Sequence, residues 1–232
     1  MTGFTDIHSH FIYGVDDGAK TRADMEAMLD AAHADGIVSL FATPHVTPGI
    51  HPFDAAAYLW RLDEARSYCQ ARNYGMQLYP GAEILYTPAL EQYMLNHRLP
   101  TLDGSDNVLI EFAPGIAFRE LENAVEFLER GGYIPVLAHI ERYQCLYIGQ
   151  QAAKLKRNHN VHYQVNANTV LTEHGFFRAR HIRNWFQKEL IDFVASDAHD
   201  ATNRPFRMKR AFDALARNYG RRYAFTLAGA QR

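Results

Sequence analysis

Residues 21–45 read TRADMEAMLDAAHADGIVSLFATPH and predict a helix followed by a strand. Thr21, with Asp24 three residues later, has the pattern of a helix capping box, and Gly36 ends the helix. The run IVSLFATPH (37–45) is typical of a short buried strand that Pro44 closes. A helix that leads into such a strand predicts one unit of a parallel α/β fold.

The same alternation extends over nearly the whole chain. Seven strands are predicted, at residues 4–10, 37–45, 76–84, 107–113, 134–142, 161–167 and 191–199. Further helices are predicted at 54–73, 118–132 and about 205–219, and an apolar stretch, RYAFTLAG, follows the last of them. No linker-like stretch, internal repeat or low-complexity segment divides the sequence. We therefore predict a single domain over residues 1–232, an α/β barrel with fewer than the usual eight repeats.

The composition argues against nucleic-acid-binding, membrane and secreted proteins. The 232 residues include 24 Lys plus Arg against 26 Asp plus Glu, and the net charge of −2 provides no general attraction to nucleic acid or membranes. No apolar run approaches the roughly 18–20 residues of a membrane helix, and no secretory signal is visible. Cys69 and Cys145 cannot form a disulfide framework, which favours a reducing compartment. We therefore expect a cytoplasmic protein.

Metal-ligating side chains occur at the ends of the predicted strands. In parallel barrels the C-terminal strand ends meet on one face, where catalytic groups collect. Residues i and i+2 of a strand share a face, so His8 and His10 can converge on one ion, and so can Asp197 and His199. The other candidates at strand ends are His45, Glu83, Glu111 and His139.

This set of side chains predicts a multi-metal site. A pair of histidines alone is weak evidence, since two surface histidines on a strand are common. Imidazole with carboxylate suits Zn, Mn or Fe, and the set is too large for one open site, so two or three ions bridged by a carboxylate are expected. Such clusters activate water and clamp the oxygens of a phosphoryl transfer. DDG (16–18) stays ambiguous, because Asp-Gly also marks a turn that either aspartate could solvate.

Seven motifs occur in order between Asp6 and Arg204: DIHSH, GVDDGA, ATPH, GAEI, LIEF, LAHIERY and SDAH. Together they resemble the PHP (polymerase and histidinol phosphatase) superfamily. More closely, they resemble its bacterial manganese-dependent tyrosine-protein phosphatases of capsule and exopolysaccharide loci. HxH alone is generic, whereas GVDDG with HIERY and SDAH is specific to this branch. The resemblance implies a distorted TIM-like (β/α)7 barrel, the PHP fold.

The resemblance also implies a three-metal site with assigned ligands. Those of the first ion would be His8, His10, Glu83 and Asp197. Glu83 would bridge to a second ion, whose other ligands would be Glu111 and His139. Those of the third ion would be Asp17, His45 and His199. Mn²⁺ is the expected metal, with Fe, Zn or Co as alternatives that the same ligands accept.

Arg142 and Arg204 match the arginines near the site in this family. They would bind and orient the phosphate, because a guanidinium can donate two parallel hydrogen bonds to a phosphoryl group. Without the resemblance, the arginine after HIE would more simply be explained as part of a surface salt bridge. Four aromatic residues could line a phosphotyrosine pocket or simply pack the loops: Phe11, Tyr13, Phe53 and Phe118.

The implied reaction is hydrolysis of phosphotyrosine on a bacterial tyrosine autokinase that controls polysaccharide synthesis and export. A metal-activated hydroxide would attack phosphorus without a phospho-enzyme. Cysteine-based phosphatases have an arginine six positions after the nucleophile. Here Gly75 follows Cys69 at that distance and Gln151 follows Cys145, so neither cysteine fits.

Two other functions stay open at this point. A small-molecule phosphoesterase of the histidinol-phosphatase type could use the same metal core, and a catalytically silent regulator could retain the metals for stability. A nuclease or amidohydrolase is disfavoured, because no predicted strand ends in a lysine and the near-neutral charge offers no nucleic-acid track. The sequence identifies neither the kinase nor the oligomeric state, and an oligomer remains open.

Overall fold

Short parallel strands form the centre of the structure, a computed structural model that describes residues 3–172 and 174–229. The strands are β1 (Phe4–Asp6), β2 (Ile37–Ala42), β3 (His45–Val46), β4 (Gln77–Pro80), β5 (Glu83–Leu85), β6 (Asn107–Glu111), β7 (Ile134–Leu137), β8 (His162–Asn166) and β9 (Phe193–Ala195). The helices are α1 (Arg22–Ala34), α2 (Ala55–Ala71), α3 (Leu90–Asn96), α4 (Phe118–Arg130), α5 (Gln151–Asn158), α6 (Ala167–Leu171), α7 (Phe176–Gln187), α8 (Met208–Tyr219) and α9 (Arg221–Leu227).

The strands pair in two parallel ladders that together surround an interior. One ladder has the order β1-β2-β4 and the other the order β3-β5-β6-β7-β8-β9. Two residues separate β2 from β3, and two separate β4 from β5. β2 and β3 therefore act as one interrupted strand of the ring, and so do β4 and β5. Just beyond β9 and β1, Ala198 forms a parallel bridge with Ser9, and its carbonyl accepts from His10 N at 2.8 Å. This order confirms the predicted distorted barrel-like α/β fold.

Several predicted strands extend too far at their C-terminal ends. Residues 134–142 were predicted as one strand, but β7 ends at Leu137 and a 3-10 turn covers Ile140–Arg142. The cause is His139, which has a φ of 33°, a left-handed conformation that a strand cannot contain. Asp197 has a φ of 54° and likewise lies outside β9, within the predicted strand 191–199. Both side chains belong to the groups of candidate metal ligands.

The predicted helices are confirmed, with small shifts of their ends. Thr21 caps α1, its side chain accepting from Asp24 N while the Asp24 carboxylate accepts from Thr21 N. Asp54 caps α2 through Ala57 N. Five helices were not predicted: α3, α5, α6, α7 and α9. The last of these includes most of the unassigned apolar stretch, and its end lies against β1, where Thr5 N donates to Ala228 O at 3.0 Å.

Two apolar cores lie on the two sides of the ring. The larger fills the space between the strands and the surrounding helices. The smaller lies inside the ring and comprises Ile7, Leu102, Leu109, Val136, Ala138 and Ala195. Leu109 and Glu111 share a face of β6, so the apolar interior continues into a polar region at the C-terminal strand ends. In the described part of the chain, no helix has the length and apolar character needed to cross a membrane.

Thr43 joins the ends of two strands beneath the polar region. Its hydroxyl accepts from Ser9 N at 2.9 Å and lies 3.2 Å from Ser9 O, while its own N–H donates to the same carbonyl. Ser9 lies between His8 and His10, and Thr43 lies two residues before His45. One buried hydroxyl therefore holds the segments that carry three histidines in register.

We predict that Thr43→Val destabilises the metal-free protein by about 1–3 kcal/mol, because it leaves the buried N–H of Ser9 without an acceptor. Urea unfolding followed by circular dichroism measures this loss. Thr43→Ser, which retains the hydroxyl, is the matched control and should remain close to wild type. Equal destabilisation by both variants would show that the methyl packing, not the hydrogen bond, matters here.

Candidate metal centre

The nine side chains predicted as metal ligands lie together at the C-terminal ends of the strands. They form four overlapping groups whose ligand atoms lie within 4.8 Å of one another. The groups are His10, Asp17, His45 and His199; His8, His10 and Asp197; His8, Glu83 and His139; and His45, Glu83 and Glu111. Most of these residues are buried, whereas the Asp17 side chain is 62% exposed at the mouth of the site.

Glu83 lies at the centre of the cluster and is only 1% exposed. Its Oε2 is 3.1 Å from His8 Nε2, 3.4 Å from His10 Nε2 and 3.2 Å from His45 Nδ1. Its Oε1 is 2.8 Å from His139 Nε2. Among the described residues, Oε2 has no hydrogen-bond partner despite these neighbours. A buried anionic oxygen surrounded by imidazole nitrogens fits a bound divalent cation.

The hydrogen bonds of two histidines determine which ring nitrogen faces the cluster. His10 Nδ1 is 2.7 Å from Asp16 Oδ2, and His199 Nδ1 is 3.0 Å from the carbonyl oxygen of Asp197. Both partners accept, so each Nδ1 carries a proton and each Nε2 is the atom available to a metal. The donor set of imidazole nitrogens and carboxylate oxygens therefore fits Mn, Fe or Zn.

Asp16 has an orienting role that the sequence left open. Its Oδ2 accepts from His45 N at 3.1 Å as well as from His10, and its Oδ1 accepts from Gly18 N at 2.9 Å. Gly18 packs so closely that a Cβ there would lie 2.0 Å from His10 O. The DDG motif is thus both a turn and a support for His10, while Asp17 reaches the cluster.

The charges of the cluster keep its central carboxylates ionised. Burial alone would raise the pKa of Glu83, but His8, His10 and His139 hold it well below its usual value. The pKa of Asp197 is also lowered, since His8 and His10 outweigh the cost of burial. Burial alone would lower the pKa of His10, but the carboxylates of Asp16 and Glu83 raise it to about 10 in the metal-free chain. Protons on the histidines thus compete with a metal ion.

The pKa shifts of Glu111 and His199 favour the neutral form of each side chain. Burial and the neighbouring charge of Glu83 raise the pKa of Glu111. Burial and the positive charge on His10 lower the pKa of His199 to about 4. His199 is therefore neutral at physiological pH, the form in which an imidazole binds a metal.

Arg142 and Arg204 lie at the rim of the cluster. Their NH2 groups are 2.9 and 3.0 Å from the same oxygen, Asp197 Oδ2. The side chains are 40% and 43% exposed, so both cations face the opening. The structure therefore brings the two predicted phosphate-binding arginines together beside the candidate ligands.

Three residues of the site lie outside the sequence-based predictions. Asp6 Oδ1 accepts from His8 N and Ser196 N at 3.2 and 3.0 Å, and burial raises the pKa of this carboxyl to about 6. Gln164 and Asn166 are buried polar residues on β8, which carries none of the predicted ligands. Their two-residue spacing, like that of His8 and His10, was the available signal.

A cavity of about 710 Å³ opens beside Asp17, His45 and Glu111. Its opposite wall includes Phe53 and Arg61. The guanidinium of Arg61 lies 4.8 Å from the centre of the Tyr13 ring, and it donates to Gly14 O. Phe11 is fully buried in the core, so it does not line this opening. Of the four aromatic candidates, Phe53 is the one placed on the cavity wall.

Comparisons with known proteins identify relatives of this chain. The sequence model of the family described as "Capsular polysaccharide synthesis, CpsB/CapC" matches residues 4–230. Tyrosine-protein phosphatase CpsB of Streptococcus pneumoniae is 29% identical over 224 residues, covering 94% of this chain and 92% of that protein. Tyrosine-protein phosphatase YwqE of Bacillus subtilis (strain 168) is 29% identical over 231 residues, covering 96% and 87%.

Solved structures show the same relationship. One solved structure superposes on this chain with a TM-score of 0.85 at 29% identity. It comes from work on YwqE of Bacillus subtilis and CpsB of Streptococcus pneumoniae, which are described there as unique metal-dependent tyrosine phosphatases. The match covers 97% of this chain and 91% of that one. A histidinol phosphate phosphatase of Lactococcus lactis has a TM-score of 0.58 at 12% identity, covering 98% and 99%, which is a likeness of fold.

We predict that Mn²⁺ stabilises the folded chain. A ligand that binds only the native state at about 100 times its Kd adds about 2.7 kcal/mol per site. Thermal unfolding with Mn²⁺, with EDTA and with Mg²⁺ measures the effect, and Mg²⁺ should stabilise less because it prefers oxygen ligands. Identical melting temperatures in Mn²⁺ and EDTA would contradict a metal centre at this cluster.

Proposed function

Because this chain belongs to the CpsB/CapC family of capsular polysaccharide synthesis proteins, we propose that it is a metal-dependent tyrosine-protein phosphatase. The observation that carries this proposal is the cluster around buried Glu83, with two arginines at its rim and a cavity beside it. The substrate is a phosphotyrosine protein. The whole chain, residues 1–232, acts as one catalytic domain.

The finer identity of the substrate is also part of the proposal. We infer a bacterial tyrosine autokinase that regulates capsular or exopolysaccharide synthesis and export, since the family is described by capsular polysaccharide synthesis. The reaction takes place in the cytoplasm, where such thiols as the buried, unpaired Cys69 and Cys145 stay reduced. The net charge of −2 again offers no track for nucleic acid.

The proposed ligand assignment follows the four groups of side chains. His8, His10, Glu83 and Asp197 would hold one ion, and Glu111 and His139, together with Glu83, would hold a second. Asp17, His45 and His199 would hold a third. The metal is Mn²⁺, or another ion that accepts nitrogen and oxygen ligands. Bound ions of this kind activate water as a nucleophile and neutralise charge on the phosphoryl oxygens.

The protein's own residues bind and orient the phosphate. Arg142 and Arg204 each donate to Asp197 Oδ2, and their remaining N–H groups can donate to two oxygens of one phosphate at the mouth. These charge-assisted hydrogen bonds strengthen as negative charge develops during in-line displacement. Phe53 on the cavity wall offers an apolar surface to the tyrosine ring.

The leaving group places little demand on the protein. A tyrosinate has a parent pKa of about 10, so it departs with less protonation than an alkoxide would require. This agrees with the use of His139 and His199 as metal ligands rather than as general acids. Hydrolysis without a phospho-enzyme also agrees with the burial of both cysteines, neither of which is placed in the cluster.

We predict that the Mn²⁺-loaded chain hydrolyses phosphotyrosine peptides with a higher kcat/KM than small alkyl phosphates. Burial of an aromatic ring contributes about 1.5–3 kcal/mol, so the preference should be roughly tenfold or more. His199→Ala should lower the activity by roughly 100-fold or more, since loss of an outer partner of a ligand alone costs 10–100-fold. Phosphate release with each substrate measures both effects.

The controls separate the competing functions. His97→Ala removes an exposed histidine that stacks on Tyr93 and belongs to none of the four groups of candidate ligands, so it should retain full activity. Faster cleavage of small alkyl phosphates would instead favour a histidinol-phosphatase type of enzyme. A folded, metal-loaded chain with no phosphatase activity would favour the silent regulator.

We predict that Arg204→Ala lowers kcat/KM by roughly 10–150-fold, the equivalent of one charged hydrogen bond of about 1.5–3 kcal/mol. Because Arg204 binds phosphate rather than metal, the metal content after dialysis should match that of wild type. Arg207→Ala, which removes a hydrogen bond to Asn168 nearby, is the matched control. Loss of bound metal in R204A would instead indicate a structural role in the metal centre.

A further inference from the structure

β8 carries two buried amide side chains, and the segments that follow its neighbours β7 and β9 carry the proposed ligands His139 and Asp197. Gln164 is fully buried and Asn166 is 9% exposed. They are two residues apart on one strand, so both point into the ring, beneath the cluster. A buried amide is costly unless it is hydrogen-bonded, and the hydrogen-bond partners of these two include proposed metal ligands.

The two amides connect three of the proposed ligands. Gln164 Oε1 lies 2.7 Å from His139 N and 3.2 Å from His8 Nδ1. Gln164 Nε2 donates to Asn166 Oδ1 at 2.8 Å, and Asn166 Nδ2 donates to Asp197 Oδ2 at 2.7 Å. A continuous chain of hydrogen bonds therefore runs from His8 and His139 through β8 to Asp197.

The direction of this chain is determined at both ends. The backbone N–H of His139 can only donate, so the Gln164 atom that faces it must be the oxygen. The Asp197 carboxylate accepts, so the Asn166 atom that faces it must be the nitrogen. Either amide, if reversed, would place two donors or two acceptors against each other. The two ends agree on one orientation for both amides.

This orientation determines the tautomer of His8 in the metal-loaded protein. Since Gln164 presents an oxygen, His8 Nδ1 must carry a proton, and Nε2 is left with its lone pair. His8 Nε2 is 3.2 Å from His10 Nε2, whose Nδ1 is likewise protonated toward Asp16. With both Nδ1 atoms protonated, the lone pairs of the two Nε2 atoms are the ones available to a metal ion.

The same chain selects the oxygen of Asp197 that faces the cluster. Asp197 Oδ2 accepts hydrogen bonds from the side chains of Asn166, Arg142 and Arg204. Asp197 Oδ1 lies 3.6 Å from both His8 Nε2 and His10 Nε2. Asn166 is itself held in place, because its N–H donates to Glu141 Oε1 at 3.1 Å.

We infer that Gln164 and Asn166 are positioning residues that select Nε2 of His8 and Oδ1 of Asp197 as the atoms that bind metal. This inference rests on the proposed metal-dependent function. The amides carry no charge, so they orient these ligands without adding a competing anion to the cluster. They contact the ligands rather than the substrate, and their removal should affect metal affinity before it affects phosphate recognition.

The first experiment measures Mn²⁺ affinity without substrate, by competition with a metal indicator. Gln164→Met keeps the length of the side chain and removes its hydrogen bonds. We expect at least one Mn²⁺ to bind roughly 10–100-fold more weakly, the usual cost of losing an outer-shell partner. Gln164→Glu retains an acceptor oxygen for both N–H groups and should bind Mn²⁺ more tightly than Q164M.

Val165→Ala is the matched control, since Val165 lies between the two amides in the sequence and packs into the larger core between the strands and the helices. It should lower the melting temperature while leaving the Mn²⁺ affinity at the wild-type level. The inference is overturned if Q164M binds Mn²⁺ like wild type, or if V165A loses as much affinity as Q164M. A wild-type chain that binds no Mn²⁺ would overturn the proposed function and the inference together.

A second measurement needs no variant. Long-range ¹H–¹⁵N spectra of the Zn²⁺-loaded wild-type protein, labelled at histidine, distinguish protonated from metal-bound ring nitrogens. We expect His8 to show a proton on Nδ1 and metal on Nε2. The opposite assignment would overturn the inference even if Q164M failed to fold.

Discussion

The buried carboxylate of Glu83 is the constraint on which the rest of the site depends. A single ionised carboxylate in the interior is costly, and the cost is offset only by opposite charge close to it. Here four histidines approach its two oxygens within 3.4 Å. His8 and His10 follow β1, His45 begins β3 and His139 follows β7, so three segments of the ring supply them. The carboxylate therefore defines the point at which the strand ends must meet.

The strands of the barrel are irregular close to the candidate ligands. β2 and β4 are interrupted, and His139 and Asp197 adopt left-handed conformations directly after β7 and β9. Such conformations are unfavourable for residues other than glycine, and they persist where the surroundings compensate for them. At Asp197 the compensation is visible, since one carboxylate oxygen receives three donors. At His139 the bend changes the direction of the side chain, since a regular strand would place this residue on the face opposite to Val136 and Ala138.

An outer layer of polar residues supports the candidate ligands. Asp16 holds His10, Asp6 holds the backbone at His8, and the β8 amides connect His8, His139 and Asp197. This layer explains why β8, which carries none of the proposed ligands, is nevertheless polar on its inner face. The two arginines complete the arrangement by sharing Asp197 with that layer. The same carboxylate thus contacts both the proposed metal centre and the two arginines proposed to bind phosphate.

The sequence by itself determined the alternation of strands and helices, the capped start of α1 and the set of side chains that meet at the strand ends. These follow from local rules, because capping needs residues three apart and strand faces repeat every two residues. The role of Asp16, the end of β7 at Leu137 and the contribution of Gln164 and Asn166 were decided only in the tertiary structure. Each involves a partner distant in sequence: Asp16 accepts from His45 N, the bend at His139 after β7 places its N–H on Gln164 Oε1, and Gln164 also contacts His8, 156 positions away. Hydrogen-bond direction and ring tautomer are set by such partners, and no local pattern contains them.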